Sequence, residues 1–512
     1  MKRPAGWAAL AGFASAAAGL GASELIAGIF APSASPLVSI GTWLIDLAPS
    51  WAKETMIALF GTGDKPALIV LLVVAVSVLG ALAGILQRRR PPWGALVFVA
   101  LGVVSLVAAL TRPESGMLSS VPAAAGTVLA AILLDRLIRR VRDGLDADRT
   151  SARPEATPRS VGDRRNFLRL SAVAGTAGLV AVAGGQWIGS SARRARDLIA
   201  DVRLPAATKT AAAPPSGASF SIDGLPPVIT PNDDFYRIDT ALVVPEIDPA
   251  DWSLRITGMV DEEVEITWNE LLALPLEEST TTLLCVSNEV GGDLISTATW
   301  LGYPIRHLLE RAGPSPDADM VLSRSTDGFT AGSPIDALTD DRNAIVAVGM
   351  NGEALPVEHG FPARLVVPGL YGYVSATKWV VELEVTRYDR ASAYWTDRGW
   401  GERGPVKLSS RIDVVSPAAD GTVTLAGFAW QPGTGIETVE VQIDDGDWRA
   451  AELADEISVD TWRQWRALVE VEPGNHVARV RATSKTGEVQ TAKEQGVLPD
   501  GATGLDARRF AL

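Results

Sequence analysis

Hydrophobic positions are distributed very unevenly along this chain. Five stretches of the first 190 residues, 4–30, 67–87, 93–110, 116–134 and 170–189, are apolar almost without interruption. Each is long enough to form a helix crossing a hydrocarbon layer, which takes about 20 residues. Only Glu24 interrupts the first, and its place near the outer helix end predicts a carboxylate that reaches water, with a functional intramembrane carboxylate as the alternative. The intervening loop 31–66 holds two apolar runs, 43–47 and 56–60, that suggest a short interfacial helix. Beyond residue 222 the period changes. Trp252-Ser-Leu254-Arg-Ile256-Thr-Gly258 alternates as a half-buried strand does. Residues 268–274 and 305–312 are helical in composition, and 365–367 and 379–385 form buried strands, which predicts a mixed α+β region. In the last hundred residues, Val439-Glu-Val441-Gln-Ile443 runs into the turn signal Asp445-Gly446. Val469 and Val471, then Ala478, Val480 and Ala482, alternate around Pro473-Gly474-Asn475, so the chain closes with a β-sandwich.

Basic residues orient the apolar stretches. Lys2 and Arg3 precede the first, Arg88, Arg89 and Arg90 separate the second from the third, and Arg136, Arg139, Arg140 and Arg142 follow the fourth. The opposite loops hold Lys53, Lys65 and Arg112. An excess of Lys and Arg marks the cytoplasmic side, so the N-terminus is cytoplasmic and the chain after the fifth span lies outside. The fifth span is introduced by Asp163-Arg164-Arg165-Asn166-Phe167-Leu168-Arg169, which resembles a twin-arginine export signal. Four domains follow: 1–195, a membrane domain of five transmembrane helices with a cytoplasmic linker at 138–166; 196–220, an extracytoplasmic tether; 221–400, a mixed α+β domain; and 401–512, a β-sandwich.

The balance of 60 acidic to 46 basic residues lacks the basic face a nucleic-acid binder needs. There is one cysteine in 512 residues, so no disulfide staples the fold. Taken alone, Cys285 suits either a small buried apolar side chain or a thiolate ligand to a soft metal.

Three ordered segments bear on that choice. The first is Phe235-Tyr236-Arg237-Ile238-Asp239, with Val244-Pro245 and the strand 252–258 after it. The second is Cys285-Val-Ser-Asn288-Glu-Val-Gly-Gly292, then Trp300-Leu-Gly302-Tyr-Pro304. The third is Asn351-Gly352-Glu-Ala-Leu355-Pro356, His359-Gly360-Phe361-Pro362-Ala-Arg364, Pro368-Gly369 and Lys378-Trp379. Together they resemble the sulfite-oxidase-type molybdopterin oxidoreductases across about residues 230–505. The resemblance implies an α+β molybdopterin domain followed by an immunoglobulin-like dimerisation-type sandwich, here behind an α-helical membrane anchor. It makes Cys285 the protein ligand to molybdenum, since thiolate suits a soft metal. It places Arg237, Asp239, Asn288, His359, Arg364, Ser375 and Lys378 around the cofactor, with cations facing the pterin phosphate. The loop 368–375, with Tyr371, Tyr373 and Ser375, is a further candidate for phosphate contact through backbone N–H groups.

This chain departs from the family where substrate is bound. Glu289 stands where the family has an oxyanion-binding arginine, and a carboxylate there repels sulfite. Trp400 is the nearest match to the family's active-site tyrosine, and Asp239 to a family histidine. Glu289, Trp395, Arg398 and Trp400 are therefore candidate pocket residues, with Glu289 and Trp400 beside Cys285 in the catalytic set. In the sandwich, Trp430, Trp448, Trp462 and Trp465 are expected in cores and interfaces, and Arg411 is placed to point back toward the cofactor domain.

No Cys-x-x-Cys-His is present, and the three histidines, His307, His359 and His476, lie outside the apolar stretches. The expectation is a chain without haem, passing electrons to a separate cytochrome or quinone-linked protein. The reading is a membrane-anchored extracytoplasmic oxidoreductase, possible as a homodimer, that moves an oxygen atom to or from a small substrate. A sulfoxide reductase acting on oxidised methionine is the alternative on the same scaffold. A cofactor-free tethered binding module and a transporter are the alternatives from other classes, the last weakened by the scarcity of intramembrane charge.

Overall fold

Each apolar stretch forms a helix, as a continuous apolar run must if its backbone groups are to be satisfied away from water. The computed structural model describes the chain apart from residues 1–3, 32–33, 50–51, 53–54, 57–58, 61–62, 113–114, 151–159, 190–198, 200–201 and 419–420. Within the described residues the helices are α1 (Pro4–Phe30), α2 (Pro36–Leu47), α3 (Asp64–Arg89), α4 (Trp93–Leu110), α5 (Val121–Thr150) and α6 (Ser160–Gly189). Five of them are long and apolar enough to cross a membrane, all but α2. Much of 138–166, expected as a linker, continues α5 to Thr150 and begins α6 at Ser160, and its middle lies outside the described residues. Helix α2 starts earlier than the run 43–47 suggested, because Pro36 follows a Ser35 N-cap whose hydroxyl accepts from Val38 N–H.

Glycines let these helices approach closely. A methyl group at Gly28 of α1 would stand 2.6 Å from the Gly185 carbonyl of α6, and one at Gly12 would overlap Gly80 and Gly84 of α3. Such small-residue seams give packing where lipid offers no hydrophobic drive. The expectation for Glu24 is overturned: the residue is 1% exposed. Its carboxylate accepts from the Ser35 hydroxyl at 2.7 Å and Leu37 N–H at 3.0 Å. The unpaired N–H groups at the start of α2 are a better partner for a buried carboxylate than lipid.

The chain divides into two units, Met1–Arg193 with Thr240–Val244, and Arg194–Asp239 with Pro245–Leu512. The second unit opens with extended chain. The stretch 196–220 is no free tether where it is described. Its Thr208 N–H donates to Leu276 O at 2.8 Å and its Lys209 O accepts from Glu278 N–H at 2.8 Å, as an added strand pairs with an open sheet edge.

Two sheets frame the middle of the unit. Strands β1 (Ser253–Gly258) and β2 (Val264–Thr267) form an antiparallel pair, followed by helix α7 (Trp268–Ala273), whose Thr267 and Glu270 make a capping box. Strands β3 (Glu277–Leu284) and β4 (Ile295–Pro304) flank the loop that begins at Cys285. Helix α8 (Ile305–Ala312), strands β5 (Met320–Ser325) and β6 (Thr330–Pro334) and the turn α9 (Asp336–Thr339) come next. Then come β7 (Ile345–Met350), β8 (Glu353–Ala354), β9 (Arg364–Val366), the turn α10 (Gly372–Ser375) and β10 (Val380–Thr386). One sheet is ordered β2-β1-β10-β5-β6, the other β3-β4-β7-β8 with β9 on β7.

The rest is β structure: β11 (Ser409–Pro417), β12 (Thr422–Trp430), β13 (Ile436–Ile443), β14 (Arg449–Ala450), β15 (Glu452–Leu453), β16 (Arg463–Glu470), β17 (Asn475–Ser484) and β18 (Ala507–Ala511). They form two four-stranded antiparallel sheets, β11-β12-β16-β15 and β14-β13-β17-β18. Val423, Leu425 and Trp465 of one meet Val439, Val441 and Val480 of the other in a shared core. Trp430 and Trp462 instead join the core of the preceding sheets, and Trp462 Nε1 donates to Val228 O at 2.7 Å. Trp448 is half-buried beneath the Arg481 guanidinium.

Candidate functional site

Strand β3 ends by delivering Cys285 into the interior, where the residue is 8% exposed. Its N–H donates to Leu294 O at 3.0 Å, so the strand pair closes the neck of the loop 286–293. Burial pushes the thiol above its ordinary range, opposed by hydrogen bonds from Ser287. Asn288 braces this loop: its Oδ1 accepts from Leu294 N–H at 2.8 Å, and Gly292 packs against the same oxygen. Glu289 is exposed on the loop.

The third motif makes the facing wall. Val357–His359 is a single helical turn that ends at Gly360, whose φ of +117° only glycine adopts readily. A side chain there would also press on Arg364 Cβ at 2.9 Å, so Gly360 lets His359, Arg364 and Lys378 come together. Arg364 and Lys378 are bridged by backbone pairing. His359 Nε2 carries its hydrogen, since it faces the Asn232 carbonyl at 3.1 Å. Burial, then the Arg364 and Lys378 charges, pull the imidazole down to about 3, so it is neutral at physiological pH.

Arg364 is 5% exposed. Its guanidinium donates to the His359 carbonyl at 3.1 Å and lies 5.0 Å from the Trp300 ring centroid. Among the described residues no carboxylate pairs with it. Burial lowers it to about 10. Lys378 Nζ donates to Asp239 Oδ2 at 2.7 Å and to the Glu358 carbonyl at 3.0 Å, and burial lowers it to about 8 despite that partner. Arg237 Nε donates to the same Asp239 oxygen at 3.0 Å, with its side chain 41% exposed. Asp239 thus holds two of the three cations, and the third, Arg364, is buried without a carboxylate among the described residues, which is costly unless an anion arrives.

Sequence reasoning gave no role of its own to two neighbours. Tyr236 feels both Cys285 and Arg364: burial and then Cys285 raise its phenol well above the usual range, while Arg364 opposes. Its place inside the quoted Phe235-Tyr236-Arg237 motif was the available signal. Asp327 follows β5 and is raised by burial, with Asp239 and Lys378 among its neighbours. In the sequence Asp327-Gly328 reads only as a turn.

The loop 368–375 is largely committed to its own structure. Ser375 is fully buried and its hydroxyl donates to the Tyr371 carbonyl at 3.0 Å, closing α10. Tyr371 N–H donates to Gly404 O at 2.8 Å, and burial lifts its phenol to about 12. Tyr373 donates to the Gly401 carbonyl at 2.6 Å. Trp400 is buried, packs between Tyr373 (5.9 Å) and Trp395 (6.1 Å), and has no partner for its indole N–H among the described residues. Arg398 lies over the Tyr394 ring at 3.6 Å, and that ring meets Trp395 edge-on at 5.2 Å.

A family model described as the oxidoreductase molybdopterin binding domain matches residues 241–395. Mitochondrial sulfite oxidase of Mus musculus is 28% identical over 293 residues, which are 48% of this chain and 53% of that protein. Sulfite oxidase of Gallus gallus is 27% identical over 316 residues, 51% of this chain and 68% of that protein. The uncharacterized oxidoreductase YuiH of Bacillus subtilis is 31% identical over 157 residues, 31% of this chain and 76% of its own length. The chain thus spans about half the length of the mouse protein and most of the bacterial one. With the family model matching the residues that include Cys285 and Arg364, and with these relatives, the chain belongs to the sulfite-oxidase-type molybdopterin oxidoreductases, enzymes that depend on a molybdenum cofactor.

Proposed function

We propose that this chain is a membrane-anchored, extracytoplasmic oxidoreductase that transfers an oxygen atom between water and a small substrate. The observation that carries this reading is one buried thiol, Cys285, in the same domain as a buried guanidinium, Arg364, that has no carboxylate partner among the described residues. The donor set fits the molybdenum cofactor: a soft ligand for the metal and cations for a phosphate. When bound, the cofactor supplies a metal that accepts or gives two electrons.

This chain's residues do the rest. Cys285 holds the metal. Arg364, Lys378 and Arg237 neutralise the phosphate, and Asp239 keeps Lys378 aimed by its 2.7 Å contact. Neutral His359 offers Nδ1 as an acceptor while Nε2 is tied to Asn232. Asn288 fixes the loop after the ligand cysteine, and Ser375 fixes the turn that bears Tyr371 and Tyr373. Glu289 and Trp400, with Trp395 and Arg398 behind, form the substrate side. In the oxidising direction the substrate gains one oxygen from water and releases two protons and two electrons. The electrons pass to a separate cytochrome or quinone-linked protein, because this chain's three histidines lie outside its apolar stretches and give those helices no histidine pair for a haem. The Arg164-Arg165 signal and the basic loops support export of the cofactor-bearing unit and a cytoplasmic N-terminus. The two carboxy-terminal sheets serve as the immunoglobulin-like, dimerisation-type module.

Glu289 favours a second reading, a sulfoxide reductase acting on substrates such as oxidised methionine. A neutral sulfoxide tolerates an exposed carboxylate near the metal, and sulfite does not. The decisive experiment compares the wild type with Cys285→Ser for molybdenum content and Mo(V) resonance. One molybdenum per chain, with its signal altered or lost in the variant, is the expected result. A wild type free of molybdenum from a cofactor-competent host overturns the assignment.

A further inference from the structure

The loop after Cys285 is gripped from outside the domain that carries it. Arg411 of β11 donates to the Gly292 carbonyl at 2.9 Å, and Arg508 of β18 donates to the Gly291 carbonyl at 3.1 Å. Behind them, Asp506 accepts from Ile412 N–H at 2.8 Å. Its Oδ1 stands 2.5 Å from where a Cβ on Gly291 would lie, and Gly291 has a φ of +74°. Only glycine satisfies both constraints. Arg411 is itself immobilised. It is paired with Asp413 at 3.0 Å, its side chain is 6% exposed, and it lies over the rings of Phe428 and Trp462, which stack at 3.8 Å.

We propose that Arg411, seconded by Arg508, is a positioning residue that sets where the Cys285 thiolate and Glu289 stand. The neck of the loop is tied at Cys285 and Leu294, and its tip is tied to β11 and β18. With both ends fixed, the torsions at Cys285 are inherited from the carboxy-terminal sheets. Those sheets are therefore part of the metal-ligand scaffold as well as a module of their own. Groups that orient a ligand from behind typically alter a metal site by about 10- to 100-fold when removed.

The inference rests on Cys285 being the metal ligand, and the test separates the two. Arg411→Met, Arg411→Lys and Arg508→Gln are compared with the wild type as full-length holoenzyme, reading molybdenum content, Mo(V) g-values and midpoint potential. The same chains from a molybdenum-starved host are alkylated with a maleimide. With one cysteine in the sequence, that rate reports Cys285 alone. Arg411→Met is expected to shift the g-values and potential and to raise alkylation about tenfold, the worth of one hydrogen bond to a charged group. Arg411→Lys is expected to recover part of both. Arg508 is 45% exposed, so Arg508→Gln loosens the loop without opening the core and decides the matter if Arg411→Met fails to fold. Unchanged spectra and an unchanged alkylation rate overturn the clamp. A wild type without molybdenum overturns the ligand reading, while the alkylation arm still judges the clamp.

Discussion

Arg364 and Arg411 are equally buried, at 5% exposure each, in opposite electrostatic settings. Arg411 has a carboxylate, Asp413, two aromatic faces and a backbone carbonyl to hold. Arg364 has two carbonyls and one ring, but no carboxylate among the described residues. The difference separates a cation whose charge is answered within the fold from one that we propose is answered by the cofactor's phosphate. A paired buried charge is finished when folding ends, whereas an unpaired one keeps its desolvation cost until an anion offsets it.

That contrast predicts opposite outcomes for the same substitution. Arg364→Met should weaken cofactor retention by about a hundredfold, the effect of removing one partner of a buried charge pair. It should leave the cofactor-free chain as stable as before or more so, because a lone buried charge has gone. Molybdenum content and thermal melting of cofactor-free chain read the two effects. Arg411→Met should do the reverse to stability, costing about 3 kcal/mol because Asp413 is left buried and unpaired. A lower melting temperature for Arg364→Met than for Arg411→Met in cofactor-free chain would break the comparison.

The next expected effect depends on pH. Lys378 is charged below about 8 and neutral above it, so cofactor uptake by the empty chain should fall as pH rises through that value. Lys378→Met should be weak at every pH and flatten the profile, as reconstitution at graded pH would show. His359 acts in the acid range. Its folded value of about 3 lies below the ordinary 6.5, so the unfolded chain takes up the proton first. Its contribution to stability is intact above 6.5 and falls between 6.5 and 3, by up to about 1.4 kcal/mol per pH unit. Denaturant titrations of wild type and His359→Gln over that window should diverge in slope. The smallest effect is expected at Glu289, where Glu289→Gln should leave molybdenum content unchanged and stability within about 0.5 kcal/mol. Its influence should be confined to which substrates react.

Much of this molecule is legible in its residue order. The apolar stretches coincide with helices, and the alternation at 252–258 and 439–443 falls on β1 and β13. Periodicity survives because a helix or strand buries one face locally, whatever its partners are. The motif around Cys285 and the run from His359 to Lys378 mark the elements we propose to hold the cofactor, because they match a family in order and register. Where a polar group finds its partner was not legible. Glu24 was expected in water and instead caps α2, a contact made by residues 35 and 37 folding back on α1. The stretch 196–220 has a tether's composition, yet its hydrogen bonds go to the edge of β3. Ser375 matched a cofactor position, and its hydroxyl is held by Tyr371.

The sequence by itself determined the division into apolar helices and β-rich remainder, the single thiol, and the set of cations available to an anion. Those depend on composition and short-range period, which are properties of the unfolded chain as well. Only the tertiary structure decided that Arg364 has no carboxylate among the described residues while Arg411 has one, and that Gly291 and Gly292, just past Cys285, answer to β18 and β11. Gly292 and Gly291 are more than a hundred positions from the arginines that hold them, and burial sets the energy of a charge by everything around it rather than by its neighbours in sequence.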